Sequence, residues 1–374
     1  MAVRENQGEP ALQRDLRLKG RQRMTASTTL RRLLHLEDEA RLPSLCRPAF
    51  VLLQAASIII TWPLWQARDH PPMLPLIEGV PQIHVGVILL ASLVLVLFRP
   101  AIGALVHLAI LLLAIVLDQT RLQPEFWSLA ILLVGTTQLP YAKSITRAHL
   151  AFLWLWAGLN KALSLGFMSQ VAPFLLNALP VAIPGVGPRA FGWLIIATEI
   201  SIGVLVLIPR ARVVGIVLAV GLHTLGLLSL IWIGWNPSVW PWNVALALGA
   251  IAFFLPSPKE PARRASLALP IYAAFALLPI AFYGGYLDAY LASNLYTSNT
   301  ASASVMCPSD DPCDIIPFLA TWGELNVPLP PEPRLFRGFF EQVCSAGDEL
   351  VIFPRQTRVS FDRDTEVATH DCPG

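Results

Sequence analysis

From about residue 47 to residue 289, long apolar runs alternate with short breaks that carry proline, glycine or charge. A helix that crosses a hydrocarbon layer of about 30 Å needs about 17–25 residues. Nine runs approach that length, near 47–66, 83–98, 101–118, 125–142, 146–163, 190–208, 211–233, 239–256 and 267–289. The second, fourth and fifth are short. Only the Asp118 to Pro124 turn separates the third from the fourth, so a re-entrant hairpin there is the alternative to nine full crossings. The pattern predicts an all-α polytopic membrane bundle of about nine transmembrane helices over 47–289, with a small extracytoplasmic α+β cap at 290–374.

The flanks read differently. Residues 1–46 form a basic cytoplasmic segment with no apolar core before about Phe50. No cleavable signal peptide is expected, and targeting falls to the first span. Within that segment, residues 28–42 have the spacing of an amphipathic helix, through Leu30, Leu33, Leu34 and Leu36. Such a helix lies either on the inner membrane surface or free in water. The tail is polar and rich in Pro and Asp. Its alternating stretches Glu349 to Phe353 and Thr357 to Phe361 read as short strands. No internal repeat is visible.

Composition agrees with lipid as the solvent. Hydrophobic residues are 55% of the chain and charged residues only 14%, against about a quarter charged in soluble domains. A net charge of +2 gives no reason to expect a nucleic-acid partner. The placement of basic residues sets an orientation. Arg99, Lys143, Arg147, Arg210, Arg212, Lys259, Arg263 and Arg264 fall in loops on one side, together with the arginine-rich N-terminal segment. Arg68, Arg121 and Arg189 fall on the other. By the positive-inside rule the N-terminus is cytoplasmic, and an odd number of spans puts the tail outside. Trp62, Trp65, Trp127, Trp235, Trp240 and Trp242 then lie near the outer interface, as an aromatic belt would.

Cys46 stands alone on the cytoplasmic side. Cys307, Cys313, Cys344 and Cys372 all fall in the exported tail. Four cysteines in an oxidising compartment favour two disulfides, with three possible connectivities. The preferred one joins Cys307 to Cys313 and Cys344 to Cys372, because Pro308 and Pro312 favour a tight loop. No CxxC motif or metal-ligand spacing is present, so neither redox catalysis nor a metal site is expected.

Ionisable residues inside a membrane are costly and tend to face the protein interior. Lys161, Glu199 and His223 lie in the fifth, sixth and seventh runs, and Asn243 lies early in the eighth. Orientation and helical rise place all four in the middle and outer half of the bundle, in reach of one pocket. A lysine beside a carboxylate and an imidazole in low dielectric can serve as a base. The catalytic candidates are therefore Lys161, Glu199 and His223. The substrate-binding candidates are Asn160, Asn243, Asp118 and Arg121. Each has a structural alternative. Lys161 can snorkel to the outer headgroups. Glu199 and His223 can pair with each other and only hold helices together. Asn243 can bridge helices, and Asp118 and Arg121 can form a structural ion pair. His107 has no evident partner and reads as a packed core histidine. Phosphate-loop, nucleophile-elbow, HExxH and dinucleotide motifs are all absent.

The stretch Arg147 to Phe167, RAHLAFLWLWAGLNKALSLGF, resembles the AGxxK-type helix in the transmembrane domain of vitamin K-dependent gamma-carboxylases, a domain shared with bacterial horizontally transferred transmembrane (HTTM) proteins. The stretch His223 to Asn243, HTLGLLSLIWIGWNPSVWPWN, is similar to that family's histidine-bearing helix and the bulky segment after it. The Asp118 turn, NLYTSN (Asn294 to Asn299) and ELNVPLPPEPRLF (Glu324 to Phe336) also resemble HTTM-like segments. The resemblance covers roughly residues 47–345. It implies a bacterial inner (plasma) membrane protein whose Lys161 is a base toward a quinone-like or other lipid-like molecule. The chain has no histidine matching the carboxylase's second functional one, and no large lumenal domain. Protein glutamate carboxylation is therefore not implied. The alternatives to a membrane-embedded, quinone-linked enzyme are a transporter and a non-catalytic scaffold whose tail binds a partner. An enzyme predicts Lys161 and His223 at one shared cavity. A transporter predicts inverted halves with broken helices at the midplane. A scaffold predicts a Lys161 that makes no buried contact.

Overall fold

The computed structural model describes residues 41–181, 184–256, 262–307, 317–361 and 366–373, without the side chains of 262–267 and 317–320. The amphipathic pattern of 28–42 therefore lies almost wholly outside the described residues. The bundle is built from α1 (Arg41–Ile60), α2 (Gly86–Phe98), α3 (Pro100–Leu117), α4 (Pro124–Gly135), α5 (Ala142–Leu163), α6 (Ala172–Asn177), α7 (Pro188–Leu205), α8 (Arg212–Trp232), α9 (Trp240–Phe254) and α10 (Ala262–Leu277). Proline opens α3, α4 and α7 within their first two positions, where its missing N–H removes no intrahelical bond.

Each of the nine apolar runs contains a helix. Among the described residues, five helical segments are long and apolar enough to cross a membrane: Arg41–Ile60, Pro100–Leu117, Pro188–Leu205, Arg212–Trp232 and Pro237–Phe254. Gly86–Phe98, Pro124–Gly135 and Ala268–Gly284 are shorter apolar helices. The remaining helix, α5, has 22 residues but carries Lys143, Arg147 and Lys161. Its burial explains how it tolerates them. It packs against α4, α7, α9 and α10, and Arg147 Nε donates to the Phe253 carbonyl at 2.7 Å.

Helix α4 has 12 residues, about 18 Å at a rise of about 1.5 Å per residue. It nonetheless runs between the two ends of the bundle. At its start, Gln123 Nε2 donates to the Pro328 carbonyl in the cap at 2.7 Å. At its finish, the Arg47 guanidinium, near the start of α1, donates to the Thr136 carbonyl at 2.8 Å. The far end of α1 is again at the cap, where Asn326 Nδ2 donates to the Ile60 carbonyl at 2.8 Å. Helices α1 and α4 are therefore antiparallel partners, and α4 does not turn back on itself.

The cap combines α11 (Pro317–Leu325), α12 (Pro333–Val343) and a sheet of order β1–β2–β3 (Ser302–Met306, Glu349–Phe353, Ala368–Asp371), antiparallel throughout. Val351 faces Ser304 in one ladder and Thr369 in the other. Phe336, Phe339, Phe340, Leu350 and Ile352 form its core, and Leu74 joins them from the α1–α2 connection. The expected strand at Glu349 to Phe353 is present. Thr357 to Phe361 is not a strand. Its backbone bonds instead to the bundle, Arg358 N–H to the Leu163 carbonyl and Phe361 N–H to the Tyr283 carbonyl, both at 2.8 Å. The extended segment is used as a clamp on the end of α5, so no sheet partner is left for it.

Trp65 and Trp242 are buried in the core and do not form part of an outer belt. Their indole N–H groups donate to Thr61 Oγ1 and Ser128 Oγ, both at 3.0 Å. His107 is fully buried, as the sequence suggests, and it has a partner that the sequence did not show, Ser92 Oγ at 2.8 Å from Nδ1. Cys344 and Cys372 form a disulfide across 28 residues of chain. Cys307 is disulfide-bonded as well, and Cys313 lies outside the described residues. Cys46 is a free thiol.

Candidate functional site

The site begins with spacing on α5. Trp154, Ala157 and Lys161 recur at three- and four-residue steps, so they share one helix face. Helix α7 comes close to that face because glycines open the contact. A Cβ on Gly158 would sit 2.7 Å from Ile200 Cγ1, and one on Gly203 would sit 2.7 Å from the Ala151 carbonyl oxygen. The approach brings Lys161 Nζ to 2.9 Å from Glu199 Oε1 and 2.8 Å from Oε2. The pair is buried, at 5% and 12% side-chain exposure. The ammonium thus holds both carboxylate oxygens. Its third proton has only the Ala157 carbonyl, at 3.5 Å.

The His223 imidazole bridges two other elements. Trp154 Nε1 donates to His223 Nε2 at 2.8 Å. An indole N–H can only donate, so Nε2 is the acceptor and the ring proton belongs on Nδ1. Nδ1 lies 3.0 Å from Asn243 Oδ1, while Asn243 Nδ2 donates to the Val239 carbonyl at 3.0 Å. Every assignment in the chain Trp154–His223–Asn243 is consistent with a neutral imidazole. A second ring proton would face the indole N–H.

Lys161, Glu199, His223 and Asn243 all line one cavity of about 530 Å³. Its walls are otherwise mostly apolar and aromatic, including Trp127, Trp154, Phe174, Phe191 and Trp242. Lys161 and Glu199 are the charged residues of the lining, so its formal charge cancels. The cap-side connection contributes Tyr290, Ser293, Asn294, Leu295 and Tyr296. Tyr296 is held there by Trp235, at a ring-centroid distance of 5.2 Å.

The other sequence candidates lie elsewhere. Asn160 is next to Lys161 but points to a different side of α5. Its Nδ2 donates to the Ala292 carbonyl at 2.7 Å, and its Oδ1 accepts from Tyr283 Oη at 2.6 Å. It ties α5 to the chain entering the cap. Asp118 and Arg121 are grouped with Arg68 at the end of α3. Asp118 Oδ2 is 2.7 Å from Arg68 and 3.6 Å from Arg121. Arg121 Nε donates to the Leu64 carbonyl at 2.9 Å. These three side chains brace the α1–α2 and α3–α4 connections against each other. Neither Asn160 nor this group is part of the cavity lining.

Compared with known proteins, the chain matches no family model, no curated protein and no solved structure. Among the described residues, no group of three His, Cys, Asp or Glu side chains is placed to hold a metal ion. Three lining residues that ionisable-residue reasoning missed are Trp154, Tyr290 and Tyr296. Trp154 had a usable signal, since it lies seven positions before Lys161 on the same helix face. Tyr296 and Asn294 lie in the NLYTSN segment, which no periodicity connects to the bundle.

Proposed function

We propose that this chain is an integral membrane protein that takes a hydrophobic, quinone-like or other lipid-like molecule into the cavity, where Lys161 acts as a base. The observation that carries the proposal is the convergence of Lys161, Glu199, His223 and Asn243 on one mainly apolar cavity. Cavities of roughly 300–1,000 Å³ with few polar groups are typical small-molecule sites. The likeness of the Lys161 helix and the His223 to Asn243 stretch to the carboxylase-type transmembrane domain points to the same chemistry.

In the proposed step, a ligand hydroxyl gives its proton to Lys161 as Lys161 passes a proton to Glu199 across the 2.8 Å contact. The products are an anionic ligand beside a charged ammonium, and a neutral Glu199 carboxyl. Loss of the ion pair is offset by the new pair between ligand and lysine. His223, with both nitrogens engaged, holds Trp154 and Asn243 as walls of the site. The buried contact of Lys161 with Glu199 speaks against a scaffold in which the lysine only snorkels.

In the proposed topology the nine helices all cross the membrane, with the N-terminus cytoplasmic and the cap extracytoplasmic. The distribution of basic residues supports this orientation. The position of α4 between the cap and Arg47 supports placing the cap and the start of α1 on opposite sides.

The test is Lys161→Arg. Arginine keeps the charge and the partner but does not lose its proton. In cells that express the folded variant, the quinone and neutral-lipid pools measured by mass spectrometry are expected to differ from those of cells with the unaltered chain. Identical pools would refute the base.

A further inference from the structure

Asn294 is 2% exposed and lines the cavity, yet neither its Oδ1 nor its Nδ2 has a hydrogen-bond partner. The Trp127 indole N–H, also in the lining, has none either. Glu125, two residues before Trp127, leaves its Oε1 unpartnered and is close enough to Tyr290 and Tyr296 to interact electrostatically. Buried polar groups without partners are uncommon, because burial removes their water and nothing replaces it. Among the lining residues, Asn294 and Trp127 thus leave donors and an acceptor without partners.

Elsewhere in the same cavity, Lys161, Glu199, His223 and Asn243 have partners. Lys161 and Glu199 neutralise each other, and His223 and Asn243 are engaged in their chain. A charged head group would find no free countercharge, and burying it unpaired is costly. The aromatic walls suit a flat ring. We infer that Asn294 and the Trp127 indole form a second recognition point in the cavity, for an uncharged head group that both donates and accepts hydrogen bonds, carried on an apolar body. A primary amide or a hydroxyl beside a carbonyl has that character. An ionised carboxylate or phosphate does not.

The inference rests on the cavity being a ligand site, and the experiment separates the two. The detergent-solubilised full chain is titrated with three probes of equal apolar body: 4-decylbenzamide, decylbenzene and 4-decylbenzoate at neutral pH. Affinity and thermal midpoint are measured for the unaltered chain, Asn294→Leu and Trp127→Phe. Leucine at 294 meets no left-handed backbone strain. The benzamide is expected to bind most tightly. Asn294→Leu is expected to weaken the benzamide about tenfold and to leave decylbenzene unchanged. It should also raise the midpoint of the ligand-free protein, because an unpartnered amide is removed. Trp127→Phe should weaken the benzamide without affecting decylbenzene.

A lower ligand-free midpoint for Asn294→Leu, or an equal loss for benzamide and decylbenzene, would overturn the recognition role and leave the cavity as an apolar site. Tightest binding of the benzoate would overturn the uncharged head group. Failure of all three probes with the unaltered chain would remove the cavity reading itself.

Discussion

Lys161 and Glu199 are held where each depends on the other. Both are buried, and the ammonium touches both carboxylate oxygens. Removal of one partner leaves a charge in low dielectric with nothing to balance it. Lys161→Met or Glu199→Leu alone is expected to cost about 3–5 kcal/mol. The double substitution replaces the pair with apolar side chains and should recover most of that loss. Unfolding of the detergent-solubilised protein measures both. If the double variant is as unstable as the two single losses combined, the residues are not a coupled pair. His223 shows how a partner changes a reading. Sequence places it beside Glu199 as a catalytic candidate or a structural pair. The structure instead joins it to Trp154 and Asn243, because helix α8 presents its imidazole to α5 and α9. No rule of spacing along one helix could supply that choice, since all three residues are on different helices.

At the scale of elements, the decisive contact is between α5 and α7. In the proposed lipid solvent, helices gain little from hydrophobic burial against each other, and close packing of small residues becomes important. Gly158 and Gly203 allow that approach, with backbone of the facing helix under 3.1 Å from each absent Cβ. Gly203→Val is expected to push α7 off the Ala151–Leu155 backbone and to lengthen the Lys161–Glu199 contact. It should lower the thermal midpoint and weaken cavity ligands together. Gly221→Ala, where nothing lies within 4 Å of the added carbon, is the control for the midpoint and should not lower it. A Gly203→Val protein with unaltered midpoint would show that the two helices are not wedged at this point. The Thr357 to Phe361 segment teaches a related lesson. Its alternation is that of a strand, but an extended chain bonds to whatever backbone is within reach, and here that is the end of α5 and the Tyr283 carbonyl.

For the molecule as a whole, the cap is joined to the bundle through charges as well as apolar contacts. Glu332 Oε1 accepts the Ala289 N–H at 2.6 Å, and Arg334 grips both oxygens of Asp288 at 2.8 and 2.6 Å. Burial, reinforced by nearby Asp288, raises the Glu332 carboxyl to about 7, against the opposing pull of the Ala289 N–H, Arg355 and Arg334. A carboxyl raised in the docked state binds its proton more tightly there than when the cap is released. Its contribution to docking is therefore complete below the ordinary value of 4.5 and is lost as pH rises towards about 7. Cap docking, followed by amide exchange in Asp288–Asn299, is expected to weaken between those values. Glu332→Gln should flatten that part of the profile. An unchanged slope in the variant would assign the pH dependence to another group. Because Tyr290 and residues 293–296 also line the cavity, loosening of the cap should lower ligand affinity over the same range.

Sequence alone located the apolar segments and the order of the parts. Apolar run length depends only on local composition, so the polar tail and every helix of the bundle except α6 could be located without neighbours. The unusual side chains were visible for the same reason: a lysine, a glutamate and a histidine inside apolar runs are costly anywhere in lipid. Partners are a property of packing between distant segments, and these only the tertiary structure decided. It paired Lys161 with Glu199, turned Asn160 towards the cap, set Asp118 and Arg121 against Arg68, and brought Asn294 from the tail into the wall of the cavity.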